Sequence, residues 1–177
     1  MGKIVEFIDK LKLAAVKRGL IPQDNSMEFK SSLYATIKRA DGTIISKGLI
    51  ATKIVTTVGV NALVDAFQGT FTLNNFKYHV SGTDTAAEAV GDTEATITGS
   101  TPAPVAGTQT EGASANIYKT VATISYVSTL AITSHGIINS GTKAGSTLWD
   151  RSVFAAINVV SGDSIEFTYE LTCNAGG

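Results

Sequence analysis

The stretch that decides the fold is Asp163–Cys173, DSIEFTYELTC. From Ile165 the apolar residues take every second place (Ile165, Phe167, Tyr169, Leu171, Cys173), with Ser164, Glu166, Thr168, Glu170 and Thr172 around them. Successive side chains of an extended chain point to opposite faces, so this alternation marks a strand with one covered face and one wet face. A strand of this kind requires a second apolar layer. Ser152–Val160, SVFAAINVV, lies immediately upstream, and Ser161-Gly162-Asp163 between the two has the composition of a tight turn. The sequence therefore predicts a closing β-hairpin over Ser152–Cys173, on which the other strands pack.

Working outward, Phe29–Ile50 reads as a second hairpin. Leu33, Ala35 and Ile37 alternate with Tyr34, Thr36 and Lys38, and Asp41-Gly42 is a strong turn signal. Val55–Gly69 switches to helical spacing, with Val60, Leu63, Val64 and Phe67 on one stripe, Thr57 as N-cap and Gly69 as C-cap. Thr72–Val80, Ile117–Tyr126 and Thr129–Asn139 read as strands, the last with Gly136 at a bulge. Ser81–Asn116 is rich in Gly, Thr, Ser and Ala and holds no Lys or Arg. It reads as long loops with a short strand at Glu94–Thr98, ordered only by a neighbour or else mobile. Many short strands separated by turn signals predict a mainly β fold, an antiparallel β-sandwich or jelly-roll-like domain over residues 28–177, with one short internal helix.

Residues 1–27 stand apart as an N-terminal helical arm and linker. Ile4, Phe7, Ile8, Leu11 and Ala15 form an apolar stripe at helical spacing, and Lys10, Lys17 and Arg18 are among five basic residues around it. Gly19 and Pro22 end the helix. Ile4, Phe7, Ile8, Leu11, Lys10, Lys17 and Arg18 are the candidate docking residues of this arm. Acidic Glu6 and Asp9 and the absence of a small-residue cleavage site speak against a secretory signal, and the same acids speak against a membrane-surface helix.

Composition narrows the classes. An apolar content of 44% with 16% charged residues fits one folded domain with or without an arm, and not a disordered chain. No apolar run reaches the roughly 18–20 residues of a membrane span. Cys173 is the sole cysteine, so no intrachain disulfide is available, and a reducing cytoplasm is the expected place of synthesis. The net charge of −1 conceals a split: the first 53 residues carry +5 and the rest −6. Two unlike surroundings are implied, and no specific nucleic-acid partner.

Chemistry is sparse. No phosphate-binding glycine loop and no nucleophile elbow is present. His79 and His135 are the only histidines, at no metal-pair spacing, and read as hydrogen-bonded structural side chains. Asp84, Glu88 and Asp92 read as solvated loop acids, Trp149 as a buried anchor, Arg151 as a candidate for a buried or interfacial ion pair, and Cys173 as a small buried hydrophobe. Glu166 and Glu170 lie roughly 13 Å apart along one strand face, too far for the carboxylate pair of a retaining glycosidase. No catalytic, cofactor or metal residue is expected, and no enzyme activity.

Three stretches resemble a pattern in structural proteins of tailed bacteriophages: Phe76–Ile97, Gly107–Ser140 and Leu148–Thr172. An opening segment like VTTxGxxxLVDA is matched by Val55–Ala66, a polar–Gly–aliphatic–aliphatic strand end by His135–Ile138, and the closing DRxVFxxIxVxxGDxIxFxYxL by Asp150–Leu171. The chain departs from the pattern at His135, where an acid is expected nearby, and in a shortened loop after Asn139. The resemblance covers about two-thirds of the chain. It implies a β-structured virion component made in the host bacterial cytoplasm, most directly a capsid decoration or cement protein. Its partners would then be the major capsid protein, other virion subunits and copies of itself. A tail, fibre-base or receptor-binding role is the alternative, and a carbohydrate-binding or carbohydrate-active β-sandwich the third.

Overall fold

The alternation of Asp163–Cys173 is realised as a strand. In the computed structural model, which describes residues 26–52, 54–99 and 101–175, Ser164–Asn174 (β10) buries Ile165, Phe167, Tyr169 and Leu171 and leaves the residues between them half-buried. Nine further strands precede it among the described residues: Glu28–Lys38 (β1), Ile44–Thr52 (β2), Ile54–Val55 (β3), Tyr78–Gly82 (β4), Val105–Ala106 (β5), Thr108–Glu111 (β6), Ile117–Ser125 (β7), Leu130–Ile138 (β8) and Leu148–Val159 (β9). One α-helix, Thr57–Phe67 (α1), follows β3. The chain divides into two compact units, Met1–Glu28 with Cys173–Gly177, and Phe29–Thr172. The packing described below is that of the second. The arm residues Ile4, Phe7, Ile8, Lys10, Leu11, Lys17 and Arg18 lie outside the described residues.

The strands form two antiparallel five-stranded sheets, in the orders β2-β1-β10-β7-β6 and β3-β9-β8-β4-β5. The expected hairpin over Ser152–Cys173 is therefore not formed, because β9 and β10 belong to different sheets. β10 pairs instead with β7 over Ser164–Thr172, with β1 on its other side. The reason lies at Asp163. Its buried carboxylate accepts from Val160 N (3.0 Å), Ala40 N (3.0 Å) and Arg39 Nη1 (2.6 Å), while Gly162 N donates to Tyr126 O and Tyr126 N to Asp163 O, both at 2.9 Å. With Gly162 at φ +91°, the chain turns a corner between sheets, and three separate connections tie that corner down. The apolar sides of β9 and β10 then face each other, as the 6.4 Å spacing of the Phe154 and Phe167 rings shows.

The first hairpin forms as read. β1 pairs with β2, and the turn Arg39–Gly42 is closed by Gly42 N to Arg39 O at 2.9 Å with Gly42 at φ +88°. Thr72–Val80 is not one strand: a 3-10 turn at Leu73–Asn75 precedes β4. Glu94–Thr96 is likewise a 3-10 turn, and the short strands of that region are β5 and β6. Gly136 is in regular register with Val80 and Arg151, so it is not a bulge. Little room is left there: a Cβ would lie 2.5 Å from Ile97 Cδ1 and 2.8 Å from Leu148 Cδ1, so both side-chain tips would have to shift. The β8–β9 pairing shifts register at two other places: between Ile132 and Ser134, which face Ile157 and Val153, and between Ile137 and Ile138, which face Asp150 and Leu148, so that Trp149 is an extra residue in β9.

Candidate interaction surface

The polar side chains that could support chemistry are engaged with one another. His79 Nδ1 lies 3.0 Å from His135 Nε2, and both rings are fully buried. Nearby, Tyr126 OH donates to Ser81 Oγ at 3.2 Å, and burial pushes the Tyr126 phenol up to about 12. The bulge at Trp149 brings its indole into the interior, where Nε1 donates to Tyr169 OH at 2.9 Å and the ring packs on Phe29 and Phe76. Burial, reinforced by the charge of Asp150, holds the Tyr169 hydroxyl protonated far into the alkaline range. The anchor role read for Trp149 and the structural role read for the histidines match this placement.

Asp84, Glu88 and Asp92, read as solvated loop acids, are each engaged with β9. Asp84 and Asp92 are nearly enclosed, and both pair with the buried Arg151 guanidinium: Nη2 to Asp84 Oδ2, and Nη1 to Asp92 Oδ2 at 2.8 Å. Arg151 also donates to Ala86 O at 2.8 Å, and Glu88 accepts from Val153 N at 2.6 Å. Burial alone would push the Asp84 carboxyl up, but hydrogen bonds from Arg151, Ser134 and Thr98 N hold it below its ordinary value. The order of this loop thus comes from β9 beneath it. The buried ion pair anticipated at Arg151 is present. Its partners were missed, although the signal was there: a stretch with acids and no base needs a cation from elsewhere.

The remaining candidates sit at the surface. Glu166 is half-exposed and pairs with Lys38 Nζ at 2.8 Å, and Glu170 is also half-buried. Cys173 is half-buried rather than buried, and desolvation raises its thiol. Among the described residues, no cluster of three or more His, Cys, Asp or Glu could hold a metal. No described helix is long and apolar enough to cross a membrane. A half-open hollow of about 200 Å³ lies between β2 and β9, lined by Lys47, Ile50, Phe154, Ala155, Ala156 and Ile157.

The most distinctive surface is α1. Its N-cap is Thr56, one residue before the position expected, whose Oγ1 accepts from Gly59 N at 3.0 Å and donates to Leu148 O at 2.5 Å. Gly59 and Ala62 are the buried residues of the helix, and a Cβ on Gly59 would lie 2.6 Å from Trp149 O. The backbone of α1 therefore approaches β9 as closely as glycine permits. With Gly59 and Ala62 turned to the sheet and Val58 packed on the core beneath, three large residues face away: Val60 is 42% exposed, Val64 50% and Phe67 83%. Of the stripe read from the sequence, Val60, Val64 and Phe67 lie on the outward face and Leu63 is half-buried. The helix also touches the 3-10 turn carrying exposed Leu73. Residues 54–76 contain a single charge, Asp65. Charge depletion with apolar enrichment is the composition of the core of a protein–protein contact. Comparison with protein-family models, curated proteins and solved structures returned no match.

Proposed function

We propose that the chain is a structural component of a tailed-phage virion, a capsid decoration or cement protein with a β-sandwich body that acts through protein–protein contacts. The observation that carries this reading is the outward apolar face of α1, Val60, Val64 and Phe67, within a nearly uncharged stretch. The resemblance of Val55–Ala66 to phage structural proteins falls on the same helix. The enclosed ion pairs and histidines support a scaffold role over an enzymatic one, since each has a structural partner. The basic arm, residues 1–27, offers a second attachment to a neighbouring subunit.

The test is incorporation into particles. Virions made with Val64→Asp or Phe67→Ser should carry at least tenfold less of this protein by quantitative mass spectrometry, with the melting temperature of the isolated protein unchanged. Unchanged incorporation of both variants, or absence of the wild-type chain from purified particles, would remove the proposal. Density for the chain at the tail in a particle reconstruction would assign it to the adsorption apparatus instead.

A further inference from the structure

For most of its length β9 has a neighbouring strand on one side only. β8 pairs with it between Leu148 and Val159, but on the other side β3 reaches only Asp150 and Arg151. No described strand lies beyond residues 152–159 on that side. β2, the outer strand of the other sheet, comes alongside this open edge, and the half-open hollow of about 200 Å³ lies between the two. Side chains occupy both ends of the open run: Val153 N donates to Glu88 Oε1 at 2.6 Å, and Asn158 O accepts from Arg39 Nη1 at 3.0 Å. Between these ends, residues 154–156 together face Thr133 of β8, because Val153 faces Ser134 and Ile157 faces Ile132. An insertion of this kind bends a strand. Phe154 and Ile157 are buried beneath the hollow, while Ala155 and Ala156 are exposed and too small to fill it.

We propose that this flank is a docking site for an extended acidic segment of a partner protein. One large apolar side chain of the segment enters the hollow, and a neighbouring carboxylate pairs with Lys47. Size argues for a single side chain, since sites that enclose a whole small molecule run to roughly 300–1,000 Å³. The open strand edges argue for a polypeptide, whose backbone supplies donors and acceptors at the spacing of a β-ladder. From Val153 to Asn158 the edge spans roughly 17 Å, the length of about six extended residues.

Charge decides the composition of the segment. Lys47 is the sole charged residue lining the hollow, it is exposed, and it pairs with no described acid. The wall it stands on belongs to the basic first third of the chain. The same lysine speaks against a second copy as the occupant. Two β2 edges brought together about a two-fold axis would place both copies of Lys47 in one contact, and like charges facing across strands repel. The site shares no residue with the outward face of α1.

The test uses the intact protein and a displayed library of random octapeptides. Enriched peptides should share a large apolar residue next to an aspartate or glutamate. By fluorescence anisotropy, a labelled enriched peptide should bind at least tenfold more weakly to Lys47→Glu, and to Ala156→Phe, which fills the hollow. Binding to Val64→Asp should be unchanged, because α1 does not line the hollow. In a titration followed by NMR, the amide resonances of Lys47, Ala155 and Ala156 should shift. Failure to enrich any peptide, enriched peptides without an acid, shifts confined to other residues, or equal binding by the wild type and Lys47→Glu would overturn the proposal. A dimer of the free protein that is lost in the same two variants would overturn it too, by giving the site to a second copy. Lys47 is exposed, so its variant decides the matter even where Ala156→Phe fails to fold.

Discussion

Arg151 binds two carboxylates and a backbone carbonyl of one loop from beneath, and the order of Asp84–Asp92 depends on it. Replacing it by leucine would leave Asp84 and Asp92 enclosed without a cation. The expected cost is about 3–5 kcal/mol in a urea titration. The same variant should gain a protease cut between Thr85 and Gly91, where the wild type is expected to resist digestion. Resistance in both would show that the loop is held by something else. The pH behaviour follows from sign: the folded-state carboxyl of Asp84 is lowered from 3.8, so its contribution is complete above that value and disappears as pH falls through and below it. Asp163 is lowered too, by Val160 N and Arg39.

At the scale of elements, the two faces of β10 make opposite predictions. Phe167 is fully buried between the sheets, so Phe167→Ala should cost about 3–5 kcal/mol. Glu166 points outward to Lys38, both partly exposed, and Glu166→Ala should cost under about 1 kcal/mol. Equal losses in chemical denaturation would mean that the outer face is covered as well. The burial pattern of β10 was legible because period two is a property of one strand. Its neighbours were not: alternation tells which side chains share a face and nothing about which backbone lies alongside. Hence SVFAAINVV looked like a hairpin partner and proved to be a layer facing it. On α1 the stripe was legible and its direction was not. Val60, Val64 and Phe67 would ordinarily turn inward, but Gly59 and Ala62 let the helix backbone sit on Trp149, a preference set by the sheet and invisible in the helix alone.

For the whole molecule, the order β2-β1-β10-β7-β6 places the strand that follows all others in sequence at the centre of its sheet. Shortening the chain to end at Asp163 would remove the bridge between the β1–β2 and β6–β7 pairs and one wall of the core. The expected product has no cooperative unfolding transition by circular dichroism. A truncated chain that melts sharply would show that the other sheet and α1 fold without it.

The central place of β10 also sets a timetable. As the chain leaves the ribosome, β1 and β2 emerge early and can pair, but the edge of β1 that will receive β10 stays open until more than a hundred further residues have been made. At synthesis rates of roughly 5–20 residues per second, that is a wait on the order of 10 seconds with an unpaired strand edge. The first sheet thus cannot be completed before β10 has been made. In the interval the open edge is available to other chains, and the yield of folded protein should respond to translation speed between β2 and β10 more than to translation speed before β1.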